Sequence, residues 1–310
     1  MIRHTIARCH PESATVAGRE TGLLRVGVKE LMDWDAHEAL ASSTNRQNFK
    51  KNQGTAKYRK RIDNDPSWYG IPSFEKHLEA LEHGHVPSCD RVRDLAVTLL
   101  RSLPSELFEL PNQRRRPRYA DTGEELDREK VYAGDLDRAW RTMERTSAPA
   151  PVVSVVFEWG ANANHGADNL FWSGALATLL TDQLIDYGYN VELHGLDYIE
   201  HDNGRHTATL TTMKEAHDPL RILALATATA LPSVYRSNVF RLRQAHVVKT
   251  RRGGMVGGTV HPSKEILREL LERFGLEPDT TLHLRNAYSL EAAQKAAREC
   301  MAELRTRLGR

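Results

Sequence analysis

The sequence predicts an α/β protein in which a mostly parallel sheet is covered by helices on both faces. Three observations carry that prediction. Residues 152–157 read Val-Val-Ser-Val-Val-Phe, a short apolar run rich in β-branched side chains that suits a strand buried on both sides. A helical pattern then runs from Asp168 to Gly188 and is followed by a second apolar strand at 190–196, which makes a βαβ unit with parallel strands. Beyond it, strands and helices keep alternating to the C-terminus.

Before that unit the chain is uneven. Residues 44–61 hold seven cationic side chains and no acid, with little apolar content, and read as an exposed segment or a loosely held helix. Ser73 is a natural N-cap; Phe74, Leu78 and Leu81 recur at helical spacing, and Gly84 ends the run. A second helix follows at 91–101, with Val92, Leu95, Leu99 and Leu100 as its apolar stripe. Pro111 and Pro117 flank Arg114-Arg115-Arg116, and Asp121-Thr122-Gly123 signals a turn. The linker-like stretch at 146–151 (Thr-Ser-Ala-Pro-Ala-Pro) sets the expected division: a mostly helical N-terminal region at 1–147 and an α/β domain at 148–310.

In the second half, Asp168 is the expected helix cap. Residues 207–213 alternate apolar and hydroxyl side chains after the turn Asp202-Asn203-Gly204, so this strand can run antiparallel to its predecessor. A helix at 220–231 stops before Pro232, and Ser263 caps another that ends at Gly275. A strand at 281–284 and a long helix at 289–308 complete the pattern.

Composition narrows the function classes. The 310 residues carry 43 Lys+Arg against 41 Asp+Glu, a net charge of +2, which excludes a polybasic or an acidic disordered chain. No apolar run is long enough to span a membrane, and the first residues lack a secretory signal. Cys9, Cys89 and Cys300 are far apart and odd in number, which suits neither a disulfide framework nor a metal knuckle. The expectation is a soluble, intracellular protein.

The loop at 158–167 follows the central strand, where open sheets bind ligands. It lacks the G-x-G-x-x-G spacing, and the chain has neither a phosphate loop of the G-x-x-x-x-G-K-[ST] type nor a G-x-S-x-G elbow. Turn chemistry alone accounts for its Asn and Gly residues.

Four stretches taken together resemble an uncharacterised family of bacteriophage proteins. They are Trp68-x-Gly70-x-x-Ser73-Phe74 followed by Gly84, then Arg115-x-Pro117-x-Tyr119-x-Asp121-x-Gly123-x-x-x-Asp127 leading to Gly134. The third is the strand, loop and helix from Val152 to Gly188-Tyr189-x-Val191-Glu192, and the fourth is Leu231-Pro232-x-x-x-Arg236-x-x-x-Phe240. The likeness covers roughly residues 60–245 and implies a von Willebrand A-like (Rossmannoid) three-layer sandwich behind a helical N-terminal region. Von Willebrand A domains carry Asp-x-Ser-x-Ser after their first strand and bind Mg²⁺ there through hard oxygen ligands. Here the matching positions are Glu158, Gly160 and Asn162, so the ion site reads as degenerate, with no resident cofactor and Mg²⁺ as the ion such a site would take. The resemblance supplies no catalytic residue. It implies a phage-encoded protein in the cytoplasm of an infected bacterial host or in the virion, with a protein partner.

The histidine groupings His83-x-His85 near Cys89, and His201 with His206 near Asp197 and Asp202, match no zinc spacing and read as solvated loop residues. The largest charge feature is the block 219–264, which contains no acid. Arg236, Arg241, Arg243, Arg251 and Arg252, with Gly253 and Gly254 at a glycine-rich tip, are candidates for contact with a nucleic-acid backbone. Three functions follow as expectations. The first is a non-enzymatic binding or assembly protein. The second is a nucleic-acid-binding accessory protein using 219–264. The third is a metal-dependent enzyme built on Glu158, His165 and Asp197.

Overall fold

The structure, a computed structural model, describes residues 12–37, 41, 47, 49–50, 54–102, 115–120, 122, 125–126, 128–132, 134–135, 139–145, 152–160, 165–186, 188–201, 204–246, 258–278 and 280–308. In chain order, strands β1 (Glu12–Val16) and β2 (Arg19–Gly27) precede helices α1 (Val28–Met32), α2 (Thr55–Asn64), α3 (Pro66–Tyr69), α4 (Phe74–His83) and α5 (Val86–Ser102). Next come β3 (Arg115–Ala120), β4 (Glu125–Leu126), α6 (Arg128–Tyr132) and β5 (Trp140–Arg145). The rest is β6 (Val152–Glu158), α7 (Ala167–Asp186), β7 (Asn190–Glu200), β8 (His206–Lys214), α8 (Ile222–Ala230), a π-helical segment (Val234–Val239), α9 (Phe240–His246), β9 (Gly258–Thr259), α10 (Lys264–Arg273), β10 (Thr281–Leu284) and α11 (Leu290–Leu308).

The main sheet is mixed, in the order β1-β2-β8-β7-β6-β10, with the two residues of β9 added at the end of β7. β10, β6 and β7 are parallel, and β8 runs antiparallel to β7 as its turn residues suggested. β2 is parallel to β8, and β1 folds back on β2. The α/β class is therefore what forms. Strand β6 is buried from Val153 to Glu158, and successive side chains point to opposite faces. Val153, Val155 and Phe157 enter a large apolar cluster with α7, α8 and α11, whereas Val156 enters a smaller one with α10. Helices thus cover both faces, thickly on one side and by α10 on the other.

Local signals explain several boundaries. Ser73 accepts a hydrogen bond from the Lys76 amide and Ser263 one from the Ile266 amide, so both predicted N-caps form. Asp168 does not cap α7: Asn169 accepts from the Gly166 amide, and Asp168 pairs with Arg91 at 2.9 Å. Helix α7 is apolar nearly all round, as a helix between a sheet and further helices must be.

The N-terminal half differs from expectation in two ways. Strands β1 and β2 sit in the main sheet, and Leu24, Tyr58, Phe74 and Val92 share one apolar cluster with Val155 and Leu176. The helices before residue 103 therefore pack on the same core as the second half. The stretch 146–151, the expected boundary, lies outside the described residues. Part of 44–61 is also built in: Phe49 is buried against Ala41 and Ala245, and Tyr58 is buried with Ile62 because α2 is amphipathic and turns its cations outward. A separate antiparallel sheet, β3-β5-β4, lies between the halves; Pro117 is tolerated there because β3 is an edge strand. Among the described residues no helix is long and apolar enough to cross a membrane.

Candidate functional site

From β6 the chain crosses through α7 to β7 on one side and returns through α10 to β10 on the other. The carboxyl ends of β6 and β10 therefore flank the switch in strand order, where open α/β sheets bind ligands. Glu158 is the last residue of β6 and is 4% exposed. Its side chain shares the α10 face with Val156, two residues earlier.

Three groups converge on that carboxylate. His261 Nδ1, on the segment leading into α10, lies 2.5 Å from Oε2. The backbone amide of Asn286, just past β10, donates to the same oxygen at 3.3 Å. His283 Nε2, on β10, lies 3.2 Å from Oε1; neither of those atoms is aligned for a hydrogen bond, so the contact is electrostatic. Burial pushes the Glu158 carboxyl up, but the two imidazoles outweigh it and hold the group below its ordinary value. A buried carboxylate bonded to the inner nitrogen of a histidine fixes its tautomer and leaves the outer nitrogen as an acceptor. The His261 side chain is 59% exposed, so that acceptor faces solvent.

The loop start packs against the same point. The Gly160 carbonyl accepts from Asn286 Nδ2 at 2.9 Å and from the Tyr288 hydroxyl at 3.5 Å. A Cβ at position 160 would sit 2.8 Å from both the Tyr235 hydroxyl and Thr259, so the position requires glycine for space. His165 stacks on Tyr288 with ring centroids 4.3 Å apart. Asn162 lies outside the described residues.

The residues present do not fit Mg²⁺. A hard cation needs several converging oxygens, whereas Glu158 faces two imidazoles and the Asn286 side chain spends its donor on Gly160. No group of three His, Cys, Asp or Glu placed to hold a metal occurs among the described residues. The enzyme constellation also separates. Asp197 follows Leu196, the register partner of Glu158, and so points to the opposite face of the sheet. There it is 1% exposed and paired bidentately with Arg243, and it accepts from the Tyr235 hydroxyl at 3.2 Å. His165 contributes its carbonyl to Arg236.

The acid-free block is corrected most strongly. Arg236, Arg241 and Arg243 are 2%, 1% and 2% exposed and belong to the interior. Arg236 donates to the carbonyls of Trp68, His165 and Gly166 and lies over the Trp68 ring at 4.0 Å. Burial lowers its guanidinium to about 10. Arg241 lies 3.7 Å over Trp34 and donates to its carbonyl at 2.8 Å. Burial alone would lower the Arg243 guanidinium, but the Asp197 carboxylate outweighs it and raises it, while burial pushes the Asp197 carboxyl up against the pull of Arg243; the bidentate contact is what holds the two together. None of the three reaches a nucleic-acid backbone. Arg251, Arg252, Gly253 and Gly254 lie outside the described residues.

Of the histidine groupings only His83 is the solvated residue expected: His201 and His206 are 6% and 3% exposed, and His206 opens strand β8. His85 Nδ1 meets the Ser88 hydroxyl at 2.8 Å, His201 meets Thr207 at 2.8 Å, and His206 stacks on Tyr198. Sequence reasoning missed His261, His283, Asn286 and Tyr288. One signal was available: His283 is the polar residue between Leu282 and Leu284 in a strand beside a buried one.

One family model, described as a domain of unknown function (DUF7192), matches residues 22–306. No curated protein and no solved structure matches the chain.

Proposed function

The chain belongs to the DUF7192 family, and from that premise we propose that it is a non-enzymatic binding or assembly protein, phage-encoded, acting through a von Willebrand A-like domain whose ion site is degenerate. The observation that carries this reading is the enclosed Glu158. Where a metal-dependent adhesion site would hold its cation, the carboxylate is met by His261, His283 and the Asn286 amide. The crevice meets its carboxylate with protein nitrogens, and no serine or cysteine nucleophile lies against His261 among the described contacts. The order strand, loop, helix, strand, with the loop at the switch point, supports the von Willebrand A-like part of the reading. The exposed edge of His261 and the stacked pair His165–Tyr288 are the side chains that a protein partner would meet there.

The test is affinity capture from phage-infected bacteria, run in parallel with EDTA and with Mg²⁺, alongside thermal melts in both. The expected result is a partner retained in EDTA, lost from a His261→Glu chain that still melts cooperatively, and a melting temperature indifferent to Mg²⁺. A Mg²⁺-dependent upward shift, or a partner released by EDTA, would show a working ion site. Turnover of a substrate without any captured partner would sink the non-enzymatic reading.

A further inference from the structure

With the three arginines of the 219–264 block internal, the basic surface to explain lies elsewhere. Helix α2 buries Tyr58 and Ile62 in the core. The opposite side carries Lys57, Lys60, Arg61 and Asn64 at i, i+3, i+4 and i+7, which places them in one row along the helix. Lys57, Lys60 and Asn64 are exposed, Arg61 is partly so, and Lys50 is exposed one turn earlier, where its carbonyl accepts from the Gly54 amide. The carboxylates close by in sequence each have a partner outside the row, and only Asp63 and Asp65, which meet neutral donors, keep their charge beside it. Asp63 accepts from the Phe74 amide, Asp65 from the Trp68 amide and the Ser67 hydroxyl, Glu75 pairs with Arg59, and Glu79 pairs with Lys76. Arg61 leans over the Tyr58 ring, and no ion pair to it forms among the described residues. The row is thus a strip of positive charge on a rigid helix anchored in the core.

We propose that the outer face of α2 is a docking surface for the phosphate backbone of nucleic acid. Two features select this partner over an acidic protein. A protein interface needs an apolar centre with aromatic anchors, and this face has only Ala56 among its exposed apolar residues. Its makeup of Lys, Arg and Asn is that of groups which contact phosphates and sugars. The row from Lys57 to Asn64 spans about 10 Å of helix, a length over which duplex DNA carries about six phosphate charges. No side chain there is arranged to read bases, so the contact is sequence-independent. The inference stands apart from the reading of the Glu158 crevice, which uses other residues.

The experiment is fluorescence-anisotropy binding of the full chain to a labelled random-sequence DNA duplex across a salt series. Wild type is expected to bind with log K falling against log salt with a slope of about −3, the signature of three to four phosphate contacts. Lys57→Glu/Lys60→Glu should weaken binding by at least about tenfold and flatten the slope by about two, with an unchanged melting temperature. Lys295→Glu/Arg298→Glu on α11 changes net charge equally at a distant site and should keep most of the affinity. Absence of duplex binding at low salt, equal loss in both double variants, or equal binding to polyglutamate would each overturn the proposal. Loss of the captured protein partner in the His261→Glu chain would leave DNA binding unaltered, so the two readings fail separately.

Discussion

A histidine with no exposed surface ties the N-terminal helices to the π-helical segment. His77 on α4 meets the Ser233 hydroxyl through Nδ1 at 2.9 Å and the Asn238 side-chain oxygen through Nε2 at 3.0 Å. Burial, only partly offset by the Asn238 contact, pushes its pKa from 6.5 down to about 4. The folded state therefore holds it neutral while the unfolded chain protonates normally. Its contribution is fully present above pH 6.5 and is lost as pH falls from there toward 4. Between pH 7.5 and pH 5 that single group should lower stability by about 2 kcal/mol. Urea unfolding of wild type and His77→Gln at the two pH values checks it. The variant should lose that part of the pH slope whatever its absolute stability; parallel slopes would show that His77 does not titrate as its burial requires. The same neighbourhood explains the arginines. Each has a local partner set (carbonyls and a Trp face for Arg236 and Arg241, a carboxylate for Arg243), and each set comes from a distant part of the chain.

Among elements, the tightest contact joins α7 to α8. A Cβ on Gly174 would lie 2.0 Å from the Thr229 carbonyl oxygen, and Thr178 and Thr229 hydroxyls meet at 3.0 Å across the same crossing. Alanine favours helix over glycine by about 1 kcal/mol, yet Gly174→Ala should destabilise by about 3 kcal/mol because the helices must separate. A higher melting temperature for Gly174→Ala would contradict that crossing. Glycine at 174 and the Ala-Thr repeat of α8 were visible in the sequence, but their pairing was not, since it depends on which helices cross. The legible parts were local: the apolar run of β6, the caps at Ser73 and Ser263, and the strand at 281–284. β2 was not legible because its residues at 19–27 mix Arg, Glu, Thr and Gly with its apolar side chains and show only weak alternation. The basic character of 219–264 misled for a related reason. A charge count along the chain ignores Asp197, which neutralises Arg243 from 46 residues away. At the crevice, position 158 was legible as the end of a central strand. Its partners were not, because His261 and His283 lie on either side of α10, more than 100 residues along the chain from Glu158.

For the whole molecule, the question is whether the halves fold apart. The sheet answers through its edges. β8 is paired on one side by β7 and on the other by β2, whose seven register partners run from Thr21–His206 to Gly27–Thr212. A chain beginning at residue 148 would leave that side of β8 with unpaired amides and carbonyls. It would also strip α7 and α8 of their contacts with α5 and leave Arg241 and Arg236 without the Trp34 and Trp68 faces. Stripping those ring faces from two buried cations costs several kcal/mol together, comparable to the stability of an ordinary domain. Residues 148–310 expressed alone should therefore lack a cooperative urea transition and self-associate through the open β8 edge, whereas the full chain unfolds in one step. Light scattering and denaturation of the fragment decide it: a monomer with a sharp transition would establish an independent domain, and the shared core would then be an interface between two domains.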